Sequence, residues 1–76
     1  MMEAVKVSYK VWPERMNLVR FTGDKAELYC PDKDGNDGWI EMPHLNEIRY
    51  GYGNAVWYDS IDENEAKEWM ERIKKE

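Results

Sequence analysis

The stretch Asp62-Glu63-Asn64-Glu65-Ala66-Lys67-Glu68-Trp69-Met70-Glu71-Arg72-Ile73 decides the fold. Asp62 is a good N-cap, and Glu65 completes a capping box in which each side chain answers the other's backbone N–H. Ile61 before the cap and Ala66 inside the first turns form a hydrophobic staple. Ala66, Trp69, Met70 and Ile73 then fall at i, i+3, i+4 and i+7, a single apolar stripe. Glu68–Arg72 and Glu71–Lys75 are i,i+4 pairs on the outer face. Acids crowd the first turn and Lys74-Lys75 the last, as the helix dipole favours. A helix with one narrow stripe must lie on an apolar surface, and the residues before it supply one.

Working back from the helix, the chain alternates between short β-like runs and turn signals. Val5, Val7, Tyr9 and Val11 alternate with Lys6, Ser8, Lys10 and Trp12, a period of two that Pro13 ends. Asn17 to Thr22 reads as a second strand, Gly23-Asp24-Lys25 as a turn and Ala26 to Cys30 as a third strand. Pro31 to Gly38 is a polar loop, and Trp39 to Met42 is a short strand stopped by Pro43. Ile48 to Tyr52 and Ala55 to Asp59 read as a hairpin around Gly53-Asn54, whose members tolerate positive φ. That register sets Tyr50 across from Trp57 and Arg49 across from Tyr58. The expected fold is one α+β domain over residues 1–76: an antiparallel sheet or small open barrel of five to six short strands with one C-terminal α-helix packed across it.

Composition narrows the function classes. A chain of 76 residues buries only about 60% of the surface its unfolded form exposes, so each of its ten aromatics matters to the core. Net charge is −5, which argues against a duplex-DNA or anionic-membrane binder and favours a basic protein surface as partner. Cys30 is the lone cysteine, so no intrachain disulfide forms. No leader or membrane-spanning run is read, and the expected compartment is a reducing cytoplasm, the host's if the chain is viral.

Candidate sites weigh unevenly against their plain structural readings. Asp32-Lys33-Asp34-Gly35-Asn36 opens like a Ca²⁺ loop, but the glycine is misplaced and the closing acid falls on Pro43 or His44. It reads as a polar turn. Cys30 and His44 lack an orienting partner, so the first reads as a small buried hydrophobe and the second as a solvated loop residue. Two such residues are also too few for zinc, and no metal or cofactor is expected. The acids of the helix start are accounted for by capping. The run from Arg49 to Tyr58 has the aromatics of a base-stacking platform but only one cation.

The stretch from Trp57-Tyr58 through Ile73 resembles the last strand and closing helix of pleckstrin-homology-like domains, where a helix with a mid-helix Trp plugs a sheet. The likeness covers the last third of the chain and implies that architecture alone. The chain is too short for seven strands and has no basic lipid-binding loop.

What remains is a non-enzymatic protein-binding domain, of the small acidic inhibitor or adaptor type that phages and mobile elements direct at host proteins. The alternative is a nucleotide-like small-ligand binder acting as a homo-oligomer. The helix covers only one sheet face, so aromatics near Gly53-Asn54 should stay exposed. The candidate contact residues are Arg49, Tyr50, Tyr52, Trp57 and Tyr58, rimmed by Asp32, Asp34, Asp37 and Glu41.

Overall fold

The computed structural model describes residues 6–75; Val5, the expected start of the first strand, lies outside them. Five strands form one open antiparallel sheet: β1 (Val7–Trp12), β2 (Asn17–Thr22), β3 (Lys25–Tyr29), β4 (Trp39–Glu41) and β5 (Asp59–Ile61), in the order β4-β3-β2-β1-β5. The punctuation in the sequence sets these limits. Pro13 ends β1 and opens a 3-10 turn, Pro13–Arg15, after which Met16 at φ 55° reverses the chain into β2. Gly23 at φ 59° closes the β2–β3 hairpin, a conformation that glycine adopts without strain.

Period-two alternation gives the sheet two apolar faces. The register pairs Val11 with Leu18 and Tyr29 with Trp39 on one face. Val11, Leu18 and Tyr29 pack there against Ala66, with Trp69, Met70 and Ile73 around them, so α2 (Glu63–Lys74) docks through the stripe read from its sequence. Ala66 is fully buried, while Trp69 is half-buried with the Arg72 guanidinium 4.8 Å from its ring centre. Asp62 caps the helix by accepting from Glu65 N at 2.8 Å, an interaction worth about 0.5–2 kcal/mol. The expected Glu68–Arg72 and Glu71–Lys75 pairs are not closed among the described residues; Lys74 reaches Glu71 at 3.7 Å instead.

The opposite face carries Val19, Phe21 and Ala26, flanked by Trp12 and Leu28. Its cover is the segment expected to be a hairpin. Residues 48–59 do not pair as two strands. The chain runs through a 3-10 turn at Pro43–Leu45, the short helix α1 (Asn46–Arg49) and a second 3-10 stretch at Gly53–Trp57 before entering β5. This crossover carries the chain from β4 at one edge to β5 at the other and sets Leu45, Ile48, Ala55 and Tyr58 onto the exposed apolar face. The fold is therefore three layers deep.

Two local causes override the hairpin reading. Pro43 presets the first helical φ, and the Asn46 side-chain amide ties the turn down by donating to Pro43 O at 3.2 Å and Asp24 O at 3.4 Å. Gly51 and Gly53, at φ 86° and 60°, then bend the backbone twice where a strand would run straight. The non-local cause is stronger: Val19 and Phe21 are almost fully buried, and no other described segment lies over them. The pairings Tyr50–Trp57 and Arg49–Tyr58 consequently do not form. Trp57 stacks on Trp12 and Tyr58 meets the same indole edge-on.

Candidate functional site

The crossover layer is anchored on its inner side and apolar on its outer side. Ile48 and Tyr58 hold it to the sheet, while between them Tyr50, Tyr52, Val56 and Trp57 stand 67%, 68%, 80% and 54% exposed. Helix α1 ends at Arg49, so Tyr50 leaves the helix pointing outward, and the left-handed Gly51 and Gly53 flank Tyr52 at the turn. Trp57 lies parallel to Trp12, with ring centres 6.0 Å apart and planes 8° apart. Arg15 covers Trp12 at 5.0 Å. The Glu47 carboxylate adjoins the Gly53 backbone, where a Cβ would come within 2.6 Å of Oε1. With aromatics of 150–250 Å² each, these four side chains together leave on the order of 500 Å² of side-chain surface in water.

Two of the five expected contact residues belong elsewhere. Tyr58 is a core residue: it is 9% exposed, packs with Val19, Phe21 and Ile48, and makes an edge contact with Trp12 at 5.6 Å. Arg49 is a structural clamp. Its guanidinium donates to the carbonyls of Gly23 and Lys25, the latter at 3.1 Å, and lies 4.8 Å from the Phe21 ring centre. It thus pins α1 to the β2–β3 turn. Tyr50, Tyr52 and Trp57 keep their surface positions, and Val56 joins them. The sequence reading did not include Val56, because it selected aromatic and charged side chains around the expected turn.

The expected acidic rim does not surround this patch. Asp37 lies towards the α2 side of the sheet, where its Oδ1 accepts from the Tyr29 hydroxyl at 2.6 Å and from Lys74 Nζ at 2.9 Å. Those two contacts hold the Asp37 carboxyl below its usual range, and Lys74 is raised in turn by Asp37. Burial, followed by the bond to Asp37, pushes the Tyr29 hydroxyl up to about 12. Asp32 turns inward on its own loop, accepting from the backbone N–H groups of Asp34 and Asn36 at 2.9 Å each and from the Asn36 amide at 3.2 Å. The Asn36 bonds, backbone first, lower its pKa. Glu41 lies in register with Glu27 on the α2 face, away from the crossover. Asp34 is exposed.

No group of three or more His, Cys, Asp or Glu side chains converges on a common point among the described residues. Cys30 follows the end of β3 and is half-buried, whereas His44 follows β4 and is exposed. In the antiparallel β3–β4 pair these positions lie at opposite ends. Two grooves of about 410 and 380 Å³ adjoin α2. The first is bounded by Val7, Tyr9 and Ile61, and the second by Tyr9, Trp39, Lys67 and Lys74. No helix among the described residues is long and apolar enough to cross a membrane. Comparison with protein-family models, curated proteins and solved structures finds no match to this chain.

Proposed function

We propose that the protein is a non-enzymatic protein-binding module whose contact centre is Tyr50, Tyr52, Val56 and Trp57. The observation that carries this reading is the exposure of four large apolar side chains within eight residues of a segment that is core-anchored on both sides. Tyr and Trp are the side chains that dominate interface energetics, and Trp57 is already immobilised against Trp12, so binding costs it little further entropy. The net charge of −5 and the Glu47 carboxylate beside the patch favour a partner with a basic rim around an apolar centre. An inhibitor or adaptor works in this way, by occupying a surface.

The test is capture from a lysate by the full chain and by Tyr52→Ser/Val56→Asp. Proteins held by the wild type and lost from an equally stable double variant support the reading; an identical retained set contradicts it. The alternative, a small-ligand binder, is supported by the groove of about 380 Å³ between Tyr9, Trp39 and Lys67, a size at which small-molecule sites begin. Ligand binding there would be unaffected by the double variant and weakened by Lys67→Ala.

A further inference from the structure

The loop between β3 and β4 contains two Asp-Gly steps, Asp34-Gly35 and Asp37-Gly38. Among aspartyl peptides such a step is the most prone to succinimide formation, because glycine has no Cβ to keep its backbone nitrogen away from the preceding carboxyl carbon. The two steps stand three residues apart in one loop and are held very differently. Asp37 is fixed through Oδ1 by the Tyr29 hydroxyl at 2.6 Å and Lys74 Nζ at 2.9 Å, and the residue after it is locked to the sheet where Cys30 N donates to Gly38 O at 2.7 Å. Asp34 is exposed, and its carboxylate has no hydrogen bond or ion pair among the described residues. Its neighbour Gly35 has φ +83° and open space where a Cβ would stand, and its N–H, which donates to Asp32 O at 3.1 Å, also faces the Asp32 carboxylate, so both contacts of the attacking nitrogen lie within the loop itself.

From this contrast we infer that Asp34 is a site of spontaneous isoaspartate formation and that the Tyr29–Asp37–Lys74 latch protects Asp37 from the same reaction. The Gly35 nitrogen attacks Cγ of a protonated Asp34 carboxyl. An N–Cγ bond forms, the Cγ–OH bond breaks, and the amide proton leaves with the hydroxyl as water. Water then opens the ring at either carbonyl, returning aspartate or routing the backbone through Cγ as isoaspartate. Only the neutral carboxyl offers hydroxyl as a leaving group, and the latch keeps Asp37 ionised and aimed at its partners. The product at Asp34 adds one backbone atom to a loop that the Asp32 carboxylate closes with three hydrogen bonds, and so loosens that closure.

The experiment is ageing of the full chain in mildly acidic buffer, followed by peptide mapping with fragmentation that distinguishes isoaspartate. A parallel sample is aged in denaturant, where neither residue is held. In the folded protein, isoaspartate at Asp34 should exceed that at Asp37 several-fold, and in denaturant the two sites should converge. Lys74→Gln, which removes one arm of the latch on a partly exposed residue, should raise the Asp37 product in the folded state. Equal accumulation at both sites in the folded wild type, or suppression of Asp34 below its level in denaturant to match Asp37, overturns the inference.

Discussion

Replacing Tyr58 separates the three-layer fold from the hairpin its sequence resembles. In a hairpin, Tyr58 would face Arg49 near the rim and its loss would be mild. In the structure it is 9% exposed, between Val19, Phe21 and Ile48, with its ring edge-on to Trp12 at 5.6 Å. Truncating a buried aromatic to Ala costs about 3–5 kcal/mol. A domain of 76 residues has roughly 4–11 kcal/mol in all, at 0.05–0.15 kcal/mol per residue. Tyr58→Ala should therefore remove between about a quarter and all of the stability, lowering Tm by at least about 12 °C. Tyr52→Ala, only six positions away but 68% exposed, should stay within about 0.5 kcal/mol of wild type. Urea titration followed by tryptophan fluorescence measures both. A Tyr58→Ala midpoint close to that of Tyr52→Ala would refute the placement of the crossover on the sheet.

Other outcomes follow from particular contacts. Trp57→Ala should cost about 0.5–1.5 kcal/mol beyond its partial burial by unstacking Trp12, and the lost indole pair should be visible in near-ultraviolet circular dichroism. Gly53→Ala should destabilise by about 1–2 kcal/mol, because φ +60° is left-handed and the new methyl meets the Glu47 carboxylate, whereas Gly53→Ala/Glu47→Ala should recover the steric part in a double-mutant comparison. The latch gives pH dependence at both ends. Asp37 is lowered from 3.8 in the folded state, so its contribution is present above that value and lost as pH falls through the folded pKa. Tyr29 is raised from 10.0 to about 12, so its contribution is present below pH 10.0 and lost as pH rises towards 12; Tyr29→Phe should flatten the alkaline limb of a Tm-against-pH curve. Thermal melts in calcium and in chelator should coincide, since both Asp32 carboxylate oxygens are committed to its own loop.

The parts of the fold that were readable from sequence are those with local causes. The α2 stripe, its Asp62 cap, and strands β1 to β4 follow from periodicity and from Pro and Gly at their ends. Residues 43–58 were not readable, because their conformation answers a demand made elsewhere. The aromatic and β-branched residues around Gly53-Asn54 carry strand propensity, but the sheet already has a face of Val19, Phe21 and Ala26 that must be covered. Propensity yields to that burial. The same error divided the site. Tyr50, Tyr52 and Trp57 do stay exposed near Gly53, but as the outer side of the covering layer rather than as a sheet face that α2 leaves bare. The roles given to Tyr58 and Arg49 depended on hairpin register and fell with it. The acidic rim was read from linear proximity, which a loop latched to the far side of the sheet through Asp37 and Lys74 does not preserve.

Site-specific photo-crosslinking tests the contact surface most directly. A photoreactive phenylalanine replaces Tyr52 at the centre of the patch in one preparation and Glu68 on α2 in another, both exposed positions. After illumination in lysate, the account predicts a discrete adduct with another protein from position 52 and none from position 68. Adducts of equal yield from both positions, or from position 68 alone, would contradict it, and an adduct of twice the chain mass from position 52 would make the partner a second copy of the chain rather than a basic protein.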